Sequence, residues 1–240
     1  MPLPTLHPTT LLDGYPETWR GRVIRVALTE PLRASWRSPG QYCMLALDVE
    51  GERLSSPFVI ANEPSEHFGT EALSFYVQRN GPLSEALCAL PAGATLHVSA
   101  PQGPGFPQEA MLAHGGPVLL ATNGSGLAGV RGLLWGLVEA GVPAVLYQGC
   151  RQPGDFPFLG ELTELLRAGL DVRLVVSGHA PDWPGRRGYV QHNIAGELDT
   201  LPAGWADGWL ALCGMPDMQR ELTDWALGMG MARERICTNH

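Results

Sequence analysis

The run Ala121-Thr-Asn-Gly-Ser-Gly-Leu-Ala-Gly sets glycines at 124, 126 and 129, a G-x-G-x-x-G spacing between an apolar run and a helical pattern. Small residues there let backbone amides approach a diphosphate, and a helix N-terminus adds unpaired N–H groups and a positive dipole end. Gly124, Ser125, Gly126 and Leu127 are therefore candidates for holding a dinucleotide. A second stretch, Ala211-Leu-Cys-Gly-Met-Pro, puts the small thiol of Cys213 beside the backbone gap at Gly214, with Pro216 suited to a first helical position. In a third, Asn80-Gly-Pro-Leu-Ser, residues Gly81, Leu83 and Ser84 would present N–H groups and a hydroxyl at a helix start, which suits a second phosphate or a plain cap. A fourth, Arg53-Leu-Ser-Ser-Pro-Phe-Val-Ile-Ala-Asn, reads as a strand forming the wall of a site, with few groups able to react.

These stretches need elements to hold them. Up to about residue 106 the chain shows short β-branched or aromatic runs parted by Gly and Pro, which predict an N-terminal antiparallel β-barrel. One short helix, from Pro82, interrupts them. After that the rhythm becomes strand, helix, strand, repeated, which predicts a C-terminal α/β domain with a doubly wound parallel sheet that binds ligands at the carboxyl ends of its strands. The expected division is residues 1–108 and 109–240. The glycine loop and Cys213 would then share one sheet edge.

Composition narrows the function. A net charge of -8 with scattered arginines argues against a nucleic-acid footprint. The opening MPLPTLHPTT has no basic stretch followed by an apolar one, and GLAGVRGLLWGLVEAG is broken by Arg131 and Glu139, so a cytoplasmic protein without a membrane span is expected. Five cysteines with no C-x-x-C pair, and seven histidines without ligand spacing, predict no disulfide framework and no metal site. Cys43 and Cys88 read as buried small groups, Trp135, Trp209 and Trp225 as core, and Tyr147 and Tyr189 as residues near the sheet edge that could meet an adenine.

Taken in order, APQGPGF, GSGLAG, LYQGCR and CGMPDM resemble the motifs of the ferredoxin–NADP reductase superfamily, and SSPFVIAN lies over its flavin signature. The outline is similar to compact bacterial flavin reductases and to electron-transfer subunits of dihydroorotate dehydrogenase. The resemblance implies an enzyme that passes a hydride from NAD(P)H to FAD and electrons onward to a small molecule or redox protein. It implies that Pro57, Phe58, Val59 and Asn62 border the flavin, that Cys213 is the catalytic residue beside the nicotinamide with Gly214 and Met215, that Arg151 meets the coenzyme, and that His240 covers the flavin. Two positions depart from the signature. Ser56 stands where the family has an arginine on the flavin diphosphate, and Val59 where it has a serine. Losing one charge-assisted hydrogen bond costs about 1.5–3 kcal/mol, roughly ten- to a hundred-fold in affinity, so FAD is expected to bind more weakly unless Arg53 substitutes. The competing reading is a nucleotide- or partner-binding module that kept the fold and lost the turnover.

Overall fold

The computed structural model of the protein describes residues 4–62 and 71–239. The first sheet is built from β1 (Leu6–Thr18), β2 (Gly21–Ala27), β3 (Tyr42–Val49), β4 (Glu52–Val59), β5 (Ala72–Gln78) and β6 (Thr95–Ser99). Two helices interrupt it, α1 (Glu30–Arg33) after β2 and α2 (Pro82–Ala89) after β5. All its pairings are antiparallel, in the order β4-β3-β6-β1-β2-β5. Alternating residues such as Ile24, Val26, Leu45, Leu73 and Phe75 fill its inner face together with Leu83 and Leu87 of α2. Between β3 and β4 the chain turns in two residues, Glu50 and Gly51, both with positive φ (52° and 86°), as a hairpin matching the strands' twist requires. The sheet curls until its edges meet. Ile60, just past β4, bridges Phe75, and the Ala61 N–H donates to the Ser74 carbonyl at 2.7 Å.

The second sheet is parallel and runs β10-β9-β8-β7-β11-β12. In chain order its parts are α3 (Gln108–His114), β7 (Val118–Asn123), α4 (Leu127–Glu139), β8 (Ala144–Cys150), α5 (Leu159–Arg167) and β9 (Asp171–Val176). Then follow β10 (Arg186–Arg187), α6 (Val190–Gly196), β11 (Trp209–Cys213), α7 (Pro216–Gly228) and β12 (Ile236–Thr238). From β7 the chain winds outward to β10, then returns to the other side of β7 through β11. That reversal leaves a crevice between the carboxyl ends of β7 and β11, where such sheets take their ligands. The glycine loop leaves β7 there, and Cys213 ends β11.

Three elements were not foreseen. β1 carries Pro8 and Pro16, which argue against a strand, but register shifts between Leu11 and Asp13 and between Pro16 and Thr18 relax the ladder. α1 lies in a stretch that reads as strand, and α3 in one that reads as a linker.

The two sheets are tied together by buried groups. Arg131 of α4, 9% exposed, donates to the Ala61 carbonyl at 2.6 Å and to Glu161 of α5 at 2.8 Å. Its guanidinium lies 4.0 Å from the centre of the Phe158 ring, which meets Tyr76 edge-on. Phe158 has a left-handed backbone, φ 57°, and its N–H donates to Glu17 of β1 at 2.5 Å.

Candidate functional site

A cleft of about 1310 Å³ separates the two sheets. Its size exceeds the roughly 300–1,000 Å³ usual for one drug-sized ligand, which leaves room for more than one extended group.

One wall comes from the antiparallel sheet. Tyr42 and Met44 of β3, with Ser56, Pro57, Phe58 and Val59 of β4, line it. Alternation along β4 sends neighbouring side chains opposite ways. Phe58 packs on the inner core of its own sheet while bordering the cleft, whereas Val59 joins the core of the α/β half. The surface is flat, apolar and aromatic, suited to a planar ring system.

The other wall is the carboxyl edge of the parallel sheet. Gly124, Ser125, Gly126, Arg151, Cys213, Gly214 and Met215 line it. Gly124 has φ 51°, and a Cβ there would meet open space, so this backbone faces the cleft. Gly126 has no such room, since a Cβ would fall on the Cys213 carbonyl. Asn123 fastens the two strand ends by accepting the Met215 N–H at 2.9 Å. The thiol of Cys213 is buried, and burial pushes it up to about 12, so it stays protonated at neutral pH. It acts there as a small apolar group. Cys150, at the end of β8, is likewise pushed up by burial to about 12.

Other expected residues lie off the cleft. Arg53 is bound through two nitrogens to Asp48, at 2.8 and 2.7 Å, and does not reach the wall that Ser56 lines. Asn62 is buried and spends its amide on β5, donating to the Ala72 carbonyl and accepting from the Ser74 N–H at 2.7 Å. Leu83 is core, and Gly81 caps α2. Ser84 accepts from the Asn80 N–H at 2.9 Å, so its hydroxyl holds the first turn of that helix. Leu127 is fully buried. Tyr147 is also fully buried and donates to Glu197 at 2.9 Å, so it cannot meet an adenine, whereas Tyr189 is exposed and lines the cleft. His240 lies outside the described residues. Among the basic groups, Arg186 is held by Glu197 at 2.7 Å and Arg187 by the Pro181 and Trp183 carbonyls.

Several lining residues had not been singled out, among them Arg20, Tyr76, Asn123, Asp155 and Asn239. Asn123 directly precedes the glycine loop, a usable signal. Arg20 sits on the turn after β1, and with that strand unrecognised nothing in the sequence points to it. Among the described residues no group of three or more His, Cys, Asp or Glu is placed to hold a metal ion, and no helix is long and apolar enough to cross a membrane.

Against known proteins, residues 119–224 match the family described as Oxidoreductase NAD-binding domain. A Ralstonia protein named as the ferredoxin–NAD(P)(+) reductase component of naphthalene 1,2-dioxygenase/salicylate 5-hydroxylase systems is 33% identical over 249 residues, covering 98% of this chain and 69% of the relative. Ferredoxin–NADP reductase B of Sorangium cellulosum is 29% identical over 211 residues, 82% of each chain. The fold is shared with a ferredoxin NADP+ reductase from Neisseria gonorrhoeae solved with bound FAD and NADP, at a TM-score of 0.80 and 16% identity over 97% of both chains.

Proposed function

Since the chain belongs to the ferredoxin–NADP reductase superfamily, we propose that it passes a hydride from NAD(P)H to FAD held on the antiparallel-sheet wall, then electrons onward to a partner. It is an oxidoreductase of the ferredoxin reductase kind, taking electrons from NAD(P)H. The observation that carries the finer reading is the facing of two unlike walls across one cleft. An apolar aromatic surface around Phe58 meets a glycine-lined strand edge around Gly124 and Cys213.

The residues present fit both groups. Tyr42, Met44 and Phe58 supply the flat apolar contact an isoalloxazine needs, and Gly124 exposes backbone to the space where a diphosphate would lie. When bound, FAD supplies the ability to take two electrons from a nicotinamide and release them singly. The protein's own part is placement. Gly124, Ser125 and Gly126 would hold the coenzyme, with Arg151 at the outer end of the same edge. Cys213 and Val59 close the inner end with apolar atoms, which excludes water from the reacting pair. The neutral Cys213 thiol borders the nicotinamide without competing as a nucleophile. On this reading residues 1–108 carry the flavin and 109–240 the coenzyme. The Ralstonia relative is named as the reductase component of an oxygenase system, so the acceptor we favour is a redox protein of that kind.

The test is the visible spectrum of protein loaded with FAD and desalted, followed anaerobically during addition of NADH or NADPH. A retained flavin band that bleaches on addition is the expected result. Protein that takes up no flavin, and oxidises neither coenzyme with flavin in excess, would instead identify a nucleotide-binding module without turnover.

A further inference from the structure

The cleft is lined by two arginines, one on each wall. Arg151 directly follows the parallel strand β8. Arg20 stands on the turn between β1 and β2, beside the cleft-lining Gln78 and Asn80. Both ligands of the proposed reaction carry a diphosphate, and a diphosphate taken from water needs a cation or several N–H donors. We infer that Arg20 is the cation that receives the diphosphate of FAD, doing from the β1–β2 turn what Ser56 cannot. This assignment rests on the flavin reading above.

Elimination on this wall supports it. Arg53 is committed to Asp48, Arg79 to Glu85 at 2.9 Å, and Arg22 to the Cys88 and Leu90 carbonyls at 2.9 and 2.7 Å. For the guanidinium of Arg20, among the described residues, only stacking over the Trp19 ring at 5.3 Å is found. Asp155, the one carboxylate lining the cleft among them, is already engaged. Its Oδ1 accepts the Trp19 indole N–H at 2.9 Å and its Oδ2 the Gln152 N–H at 3.2 Å.

Geometry brings Arg20 to the right place. The isolated antiparallel bridge between Ile60 and Phe75 brings the end of β4 against β5, and Gln78 and Asn80, further along from β5, line the same cleft as Ser56 and Pro57. The Arg79 N–H in turn donates to the Arg20 carbonyl at 2.8 Å. Arg20 is therefore held beside the end of β5 and lines the same cleft as Ser56. The Asp155–Trp19 bond fixes the ring beneath the guanidinium, so the α/β half helps aim the cation.

The test compares wild-type protein with Arg20→Ala, Arg53→Ala and the double variant Arg20→Ala/Ser56→Arg. Apoprotein is titrated with FAD by fluorescence and separately with NADH, and each variant's melting temperature is recorded. Arg20→Ala should weaken FAD about ten- to a hundred-fold, the range of one charge-assisted hydrogen bond, with NADH binding and melting temperature unchanged. Arg53→Ala should match wild type, and Ser56→Arg should restore FAD binding in the Arg20→Ala background. An Arg20→Ala protein that binds FAD like wild type, or that loses NADH instead, overturns the assignment and leaves the flavin reading standing. A lowered melting temperature with no rescue by Ser56→Arg makes Arg20 structural and likewise overturns it. Wild-type protein that binds no FAD overturns both.

Discussion

At the scale of single residues, Gly129 and Val59 are coupled through one contact. A Cβ added at Gly129 would sit 2.9 Å from the Cys213 sulfur and 3.1 Å from a Val59 methyl, so the glycine makes room for both side chains. Gly129→Ala should therefore cost about 1–3 kcal/mol by overpacking, and Val59→Ala in the same chain should recover only part of it, because the tightest contact is with the Cys213 sulfur, as read from denaturant midpoints. The sequence displays both residues, but only the fold puts them in contact. Phe58, Gly124 and Cys213 were legible because strand and loop patterns place them at an edge. Asn62 lies off the cleft because its side chain answers to two backbone groups of β5, a pairing that periodicity does not reveal. The thiols give a second prediction. Burial raises Cys213 and Cys150 to about 12, and raises Cys43 too, so thiolate forms only well above neutral pH. Iodoacetamide at neutral pH should label the half-buried Cys237 first and the other four only on unfolding, as peptide mapping would show.

Among elements, the strongest tie is α4. Its Arg131 joins a loop of the first sheet to α5 of the second half through Ala61 and Glu161. Both side chains of the ion pair are largely buried, at 10% and 13% exposure. Arg131→Ala should cost about 3–5 kcal/mol, because it strands the Glu161 charge, whereas replacing both by apolar residues of similar volume should cost far less. Equilibrium unfolding of the single and double variants checks this. The α/β elements were legible as a rhythm of apolar runs and glycines. β1 was not, since two prolines and many polar residues hide a strand whose ladder shifts register after Leu11 and after Pro16. The price of missing it was Arg20, which no local pattern could supply.

For the whole molecule, the catalytic architecture depends on pairs far apart in sequence. The cleft exists only where β7 lies beside β11, Val118 against Trp209, and where β4 meets β5. Loosening the β4–β5 junction should weaken flavin binding, and parting β7 from β11 should weaken coenzyme binding, as a calorimetric titration with each ligand would show. The position of β1 in the middle of the first sheet has a further consequence, for how the chain reaches this state. β1 forms a hairpin with β2 at once, but its other edge waits for β6, Leu6 finding Ser99. On the ribosome, at roughly 5–20 residues per second, that edge stays open for about 4–14 s as a template for wrong pairing. Pulse-labelling hydrogen exchange during refolding should find the local β1–β2 and β3–β4 hairpins protected first and the β1–β6 ladder last. In a cell, chaperones would meet this protein as an unfinished sheet.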